Sequence, residues 1–449
     1  MLVMTLNLLQ KSPDYDLEYD FQFLTPEEAK IRNEHYYWFP VGDILKIKEH
    51  DEVNEYLLEN VFDKISGEQG RFASRTLFKL HRIVHEVECI NYFLEKGEEL
   101  DKVLNIFIRV NSGGTELSYS DLLLSIATAQ WKDKDAREEI SKFVDDINNI
   151  GDGFNVNKDF ALKSCLVLND FPDIAFKVDN FNKKNMLSIE KKWDDIKESI
   201  ELAVALISNF GYSRDTLTSN NALIPIAYYI LRKDNPTNFI ESNRYKDDRK
   251  KIHKWLILSL LNRVFSGQPD NVLRPLRQII SESNLVFPLE KIIDKFRGDT
   301  KTLIFAEDQI VNLYSYQYGT SYTFSTLVLL YPTLDYRNKF HIDHIFPKSF
   351  FTRRILRKKG IQDEDVEFYL DNYNYLANLQ LLEGIPNMEK SPRDFKEWIT
   401  ETYPDGNDRK EYMKKHYIPD VDLSIQNVRQ FIEERIKLMT KQFKILLLS

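Results

Sequence analysis

The middle of this chain constrains its fold more than any other stretch. From about Glu138 to Tyr331, apolar residues recur at spacings of three and four, which is the period of one face of an α-helix. Breakers such as Asn235-Pro236 and Gly267-Gln268-Pro269 separate the periodic segments. The pattern predicts a long helical domain, with helices at 189–208, 220–233, 250–265 and 271–283.

The N-terminal residues show a mixed pattern. Residues 6–9 and 19–24 are short apolar or alternating runs that predict strands, and apolar spacing predicts a helix over 74–93. A β-branched run at 103–110 predicts another strand, which ends in a turn at Asn111-Ser112-Gly113-Gly114. The whole chain is therefore expected to be α+β and predominantly helical.

Composition narrows the class of protein. A chain of 449 residues exceeds one ordinary domain, so two or three are expected. Its two cysteines, Cys89 and Cys165, make neither a disulfide framework nor a zinc cluster and are typical of a reducing cytosol. No window approaches about 18 uninterrupted apolar residues, so we expect no membrane contact and a cytoplasmic location. The net charge of −9 argues against a chain that coats nucleic acid along its surface.

Residues 341–348 read His-Ile-Asp-His-Ile-Phe-Pro-Lys, a pattern that suits phosphodiester hydrolysis. Asp343 supplies a hard oxygen for Mg²⁺ or Mn²⁺, and His344 is the candidate general base. Neighbours on a regular strand point to opposite faces, so both side chains reach one phosphate only if the strand ends there, as Pro347 favours. His341 shares a face with Asp343 and is a further candidate, either as a ligand or as a phosphate contact.

Three more polar residues follow at a suggestive spacing. Asn387 is the candidate second metal ligand, and Lys390, three residues later, is expected to hold a phosphate. Asn378 is expected to hydrogen-bond the histidine base and fix its ring. The competing interpretation makes the histidines ordinary strand residues and the asparagines turn formers. We favour the nuclease interpretation because Asn378, Asn387 and Lys390 follow at this spacing and because a basic cluster adjoins the motif.

That cluster lies between Ile345 and Gln362, a stretch without an acidic residue. A phosphate backbone beside an active site is attracted to such a surface, although an isolated basic run is more often a solvated helix face. The predicted nucleic-acid contacts are Lys348, Arg353, Arg354, Arg357, Lys358 and Lys359.

These segments carry a family resemblance. Residues 341–348, 378–382 and 387–390 resemble the HNH half of the GmrSD family of bacterial modification-dependent (type IV) restriction endonucleases. The nine-residue step between the two asparagines is also similar to that in the HNH domain of Cas9-type effectors. The resemblance implies a C-terminal ββα-metal nuclease domain, with Asp343 and Asn387 as metal ligands, His344 as general base and Asn378 as its support.

The resemblance extends towards the N-terminus. Residues 37–45 and 106–118 are similar to the ParB/sulfiredoxin-like N-terminal half of the same family. The family's Asp-Gly-Gln-Gln-Arg motif, which is linked to nucleotide hydrolysis, is missing. We interpret a superficial match to this motif, at Gly67-Glu-Gln-Gly-Arg71, as a loop. The resemblance implies a partial ParB-like α/β domain at 1–135, a helical domain at 136–317 and the nuclease domain at 318–449.

Two further patterns have a structural interpretation beside a functional one. Asn111-Ser112-Gly113-Gly114 is either a phosphate nest or a turn that needs glycine's backbone freedom. His81 and His85 have the helical spacing of a metal pair, but they lack the intervening glutamate of His-Glu-x-x-His, so we predict a structural role for both.

The expected function is a metal-dependent DNA endonuclease in bacterial defence against foreign or modified DNA. Two alternatives stay open: a non-catalytic subunit that binds DNA or a partner, and an inactive truncated member of the family. The expected partners are DNA and either a second copy of the chain or another chain that supplies the missing N-terminal segment.

Overall fold

Two compact units, Met1–Lys96 and Gly97–Ser449, make up the chain. The predicted strand at 103–110, its Asn-Ser-Gly-Gly turn and Cys89 lie outside the described residues. The predicted domain boundaries at 135 and 317 both fall within the second unit. The computed structural model describes residues 2–14, 17–65, 67–88, 102, 106, 121, 123–125, 130–283, 286–332, 340–390 and 392–448.

The first unit contains a small antiparallel sheet of three strands. These are β1 (Val3–Asn7), β2 (Phe21–Leu24) and β3 (Trp38–Pro40), and β1 lies in the centre. Thr5 of β1 is opposite both Gln22 and Pro40. The two strands predicted here are confirmed, although β1 begins three residues earlier than predicted.

Two helices complete this unit, α1 (His50–Asn60) and α2 (Gly67–His85), and they share a hydrophobic core with the sheet. The predicted helix at 74–93 is confirmed as far as His85. The loop predicted at 67–71 is wrong, because those residues form the first turns of α2. Those residues lead directly into the buried positions Ala73 and Leu77 of the same helix, and the burial of this face outweighs the weak helix propensity of glycine. The buried core of the unit consists of Leu6, Leu8, Leu9, Phe39, Ile44, Ile47, Val53, Leu57, Val61, Ala73 and Leu77.

The second unit is mostly helical, as the periodicity predicts. The predicted segment at 189–208 is divided in two at Lys192, and the other three predicted helices are present with boundaries shifted by a few residues. Helices of this part are α3 (Ala136–Asn148), α4 (Lys158–Leu168), α5 (Lys183–Lys191), α6 (Trp193–Ser208), α7 (Leu223–Leu231), α8 (Lys246–Leu261), α9 (Asp270–Ser281), α10 (Leu289–Lys295), α11 (Glu307–Leu313) and α12 (Ser321–Leu330).

A two-stranded antiparallel sheet follows, made of β4 (Phe340–His344) and β5 (Leu379–Glu383). Two short helices connect its strands, and four helices follow it. These helices are α13 (Arg353–Lys358), α14 (Asp363–Asn372), α15 (Gly384–Lys390), α16 (Phe395–Thr402), α17 (Gly406–Lys415) and α18 (Val428–Leu447).

The second sheet lies between two hydrophobic clusters. Leu379 and Leu381 of β5 belong to the cluster built by the middle helices, whereas Leu382 belongs to a smaller C-terminal cluster. Helix α18 contributes Phe443 to the first cluster and Phe431 to the second. The middle helices and the C-terminal segment therefore share buried core residues.

Within the described part of the chain, no helix combines the length and the apolar character that crossing a membrane would require.

Candidate active site

The candidate site has the element order strand, strand, helix. β4 pairs antiparallel with β5, which places Asp343 opposite Gln380 and His344 opposite Leu379. Helix α15 begins directly after β5 and packs against both strands. The sequence thus folds residues 340–344 and 379–390 into one local ββα arrangement.

One face of α15 is turned towards β4. A Cβ placed at Gly384 would lie 3.8 Å from His341 Nε2, and Lys390 at the other end contacts Asp343. Asn387 lies midway between them, at a step of three residues from each, so it shares this face. Lys390 thus contacts Asp343, and His341 lies beside the start of the helix. Helical periodicity assigns Asn387 to the same strand–helix contact.

The carboxylate of Asp343 is held by two side chains. Lys390 Nζ lies 2.9 Å from Asp343 Oδ2, and Gln380 Nε2 donates to the same oxygen at 3.0 Å. Tyr412 in turn donates its hydroxyl to Gln380 Oε1 at 2.9 Å. These contacts fix the orientation of the carboxylate.

Lys390 is buried, and this changes its expected role. Its side chain is only 2% exposed, and Nζ also donates to the backbone carbonyl of His344 at 2.5 Å. Burial lowers the pKa of the ammonium, whereas the charge of Asp343 opposes that shift. The predicted phosphate contact at Lys390 is therefore corrected: two protein oxygens occupy an ammonium that solvent barely reaches.

His344 occupies a different environment from Asp343, although the two are neighbours in sequence. Its ring is buried beside Tyr318 and Tyr373, with ring centroids 4.7 Å and 6.1 Å away. Its Nε2 donates to Asn374 Oδ1 at 3.0 Å, which leaves Nδ1 as the nitrogen with the free lone pair. Burial lowers the pKa of this imidazole, so the neutral form of His344 dominates at neutral pH.

Asn378 does not bond the histidine ring, and that prediction is wrong. Its Oδ1 accepts from the backbone amide of Phe346 at 2.9 Å, and its Nδ2 donates to the carbonyls of Phe346 and Tyr373. The side chain is fully buried. Asn378 therefore holds the chain where it leaves β4, two residues after His344, and Asn374 bonds the ring instead.

Sequence reasoning missed Asn374 and Gln380. Asn374 lies 30 residues from His344 within an Asn-Tyr-Asn-Tyr run that resembles an ordinary turn, and its carbonyl is anchored by the amide of Tyr318. Gln380 carried a usable signal, because it is the one polar residue in the otherwise apolar Leu379–Leu382 run. A buried polar side chain within such a strand requires a partner, and here the partner is Asp343.

The basic cluster is partly neutralised by acidic residues. Three of its six members form ion pairs: Arg353 with Glu367, Arg357 with Asp363, and Lys359 with Asp394. The other three are exposed, and among the described residues no acidic partner lies within ion-pair distance of them. These three unpaired cations are Lys348, Arg354 and Lys358.

The donor set at this contact fits a hard divalent cation. Asp343 and Asn387 offer a carboxylate and an amide oxygen, which suit Mg²⁺ or Mn²⁺. Lys390 and Gln380 both contact Oδ2 of Asp343, so Oδ1 is the oxygen available to an ion. Lys390 offsets part of the charge of this carboxylate.

In the comparison with known proteins, no family model matches the sequence, and no curated protein matches it.

Proposed function

We propose that this chain is a divalent-metal-dependent endonuclease that hydrolyses phosphodiester bonds in DNA. One observation carries the proposal, namely the ββα arrangement in which β4 presents Asp343 and His344 while α15 presents Asn387 on its β4-facing side. A carboxylate and an amide oxygen can hold a divalent ion, and a neutral imidazole can act as a general base, so these groups suit such hydrolysis.

His344 supports the role of general base through its geometry. With Nε2 bonded to Asn374, Nδ1 accepts a proton from an attacking water molecule. The bond to Asn374 holds the ring, and Tyr318 and Tyr373 restrict its tilt. The lowered pKa keeps the base unprotonated at neutral pH.

Asp343 and Asn387 are the proposed ligands of the ion. When bound by these two residues, such an ion would supply charge neutralisation at the phosphoryl group and at the leaving oxygen. Gln380 and Lys390 keep the Asp343 carboxylate in place, and Asn378 keeps the backbone after β4 in place. Lys348 follows His344 by four residues, and its charge acts on the His344 imidazole, so we propose that it meets a phosphate near the base.

The biological setting rests on the resemblance to the GmrSD family. We propose a role in defence, with modified foreign DNA as the substrate. The comparison that tests this setting uses two DNA samples of identical sequence, one with modified cytosines and one without. Faster cleavage of the modified sample supports the setting, and equal rates contradict it.

The metal requirement tests the proposed activity. Supercoiled plasmid is incubated with the purified full chain in Mg²⁺, in Mn²⁺ and in excess chelator. We expect nicking with either ion and none with chelator. Asn387→Ala should raise the metal concentration for half-maximal activity by about tenfold or more. Asn372→Ala, which alters an asparagine of α14 bonded within its own helix, is the control and should match the wild type.

A further inference from the structure

Three side chains of the first unit, none of which belongs to the proposed nuclease site, converge on one another. His50 begins α1, His81 lies in the last part of α2, and Glu86 follows directly after α2. One ligand atom from each lies within 4.8 Å of the other two. Two imidazoles and a carboxylate at such separations can share one metal ion.

The buried member, His81, has a nitrogen that lacks a partner. Its side chain is 2% exposed, and its Nε2 lies 3.1 Å from the backbone carbonyl of Lys48. A carbonyl only accepts hydrogen bonds, so Nε2 carries the hydrogen and Nδ1 carries the lone pair. Nδ1 is buried and has no hydrogen-bond partner in the structure. A buried acceptor without a donor costs free energy, which a bound cation would offset.

The other two members are oriented at the surface. His50 Nε2 lies 2.5 Å from Glu86 Oε1, and these side chains are 58% and 45% exposed. The His50 ring also stacks on Phe78, with ring centroids 5.7 Å apart. The exposed edge leaves room for a water molecule as a further ligand, and the carboxylate supplies negative charge for the ion.

The backbone around His81 is also pinned. His85 Nε2 bonds the carbonyl of Ile44 at 2.9 Å, one turn after the bond between His81 and Lys48. Both imidazoles of α2 thus bond carbonyls of the chain between β3 and α1. A carbonyl bond to the second ring nitrogen is the usual way in which a ligating histidine is oriented.

We propose that His50, His81 Nδ1 and Glu86 form a site for a borderline divalent transition metal, of which Zn²⁺ is the representative. Imidazole nitrogens with one carboxylate select Zn²⁺ and its neighbours over Mg²⁺, which prefers oxygen ligands alone. The ion joins the start of α1 to the end of α2. The sequence predicts a structural role for both His81 and His85, and His85 keeps that role through its bond to Ile44. His81 instead belongs to a metal site because His50 and Glu86, which no local spacing connects to it, complete the site.

Cobalt spectroscopy on the purified full chain tests this site directly. The parent protein carries Asn387→Ala, which removes a ligand of the proposed nuclease ion. Titration with Co²⁺ should produce a visible d–d spectrum that saturates at one equivalent and is displaced by Zn²⁺. His50→Ala and Glu86→Gln should each weaken the affinity by about tenfold or more.

The matched control is His35→Ala, because His35 is an exposed histidine of the same unit that pairs with Glu34. It should bind like the parent, and Zn²⁺ should raise the thermal unfolding temperature of both but not of the ligand variants. Circular dichroism before titration verifies that the variants are folded. The proposal is overturned if the parent fails to bind Co²⁺ or Zn²⁺. It is also overturned if His50→Ala and Glu86→Gln each bind with the affinity of the parent. Nuclease activity is not a readout of this experiment.

Discussion

Lys390 Nζ lies 2.9 Å from Asp343 Oδ2 and also donates to the carbonyl of His344, so one buried ammonium contacts both residues of the Asp-His pair. The last residue of α15 is thereby fixed to the last two residues of β4. This contact sets the distance between the strand and the helix that bears Asn387. The charge of the Asp343 carboxylate is thus stabilised within the protein, by Lys390.

Breaking this ion pair should destabilise the fold. Lys390→Met leaves a largely buried carboxylate with Gln380 as its remaining protein partner, which should lower the free energy of unfolding by about 3 kcal/mol. Denaturant-induced unfolding measures the change. Lys437→Met, which removes an exposed ion pair with Glu434, is the control and should cause no measurable loss.

The double variant Lys390→Met/Asp343→Asn separates the charge effect from lost packing. Removing the carboxylate charge should recover part of the stability lost in Lys390→Met. A double variant whose stability loss equals the sum of the two single losses would contradict the coupling.

The environment of His344 should determine the acidic limb of the cleavage profile. Burial lowers the pKa of this imidazole below its ordinary value of 6.5. The neutral, active form of His344 therefore still dominates at pH 6.5. Activity is lost only as the pH falls further, through the lowered pKa. A rate profile with its acidic midpoint above 6.5 would contradict this assignment.

Asn374 offers a way to move that midpoint. Asn374→Asp places a carboxylate where the amide oxygen now accepts from His344 Nε2, at 3.0 Å. A negative charge favours the imidazolium, so the midpoint should rise by about one pH unit or more. Asn372→Asp, two residues earlier on the end of α14, should shift it much less. The rate of plasmid nicking as a function of pH measures both.

Asn378 should act through the backbone rather than through the base. Asn378→Ala leaves the amide and carbonyl of Phe346 and the carbonyl of Tyr373 without these bonds, which should cost on the order of 2 kcal/mol or more. Activity should fall even where the variant is folded, but the acidic midpoint should stay at the wild-type value. A shifted midpoint would contradict this assignment and would support the direct contact with His344 that the sequence predicts.

DNA affinity should depend on the unpaired basic residues. A triple glutamine variant of Lys348, Arg354 and Lys358 should bind DNA more weakly and with a shallower salt dependence. Each lost phosphate contact should reduce the slope of log affinity against log salt by about 0.9. The matched variant replaces the ion-paired Arg353, Arg357 and Lys359 and should lose less. Equal losses in the two variants would contradict the division of the cluster.

The sequence predicts helices and strands better than it predicts which side chains contact one another. Apolar spacing located the helices between 189 and 283, because their burial against neighbours follows from their own period. The sequence predicts a loop at Gly67-Glu-Gln-Gly-Arg71 because glycines suggest loops locally, whereas burial of the later positions Ala73 and Leu77 stabilises a helix that includes these residues.

At the candidate site, the spacing predicts which segments lie close together but misassigns two contacts, those of Asn378 and Lys390. The steps from Asn378 to Asn387 and Lys390 depend on the local strand and helix, so they were accessible from the sequence. Which side chain meets the His344 ring depends on how the 30-residue connection folds back, and no local pattern encodes that. The burial of Lys390 likewise follows from the packing of α15 on β4.

The central claim is that His344 serves as the base of a DNA-cleaving site, and the most direct test is nicking by His344→Ala. Supercoiled plasmid, Mn²⁺ and purified, folded protein are used, with and without added imidazole. The account predicts that the rate falls by about 100-fold or more, with unchanged DNA binding and partial recovery in imidazole. Metal-dependent nicking by His344→Ala at the wild-type rate would contradict it.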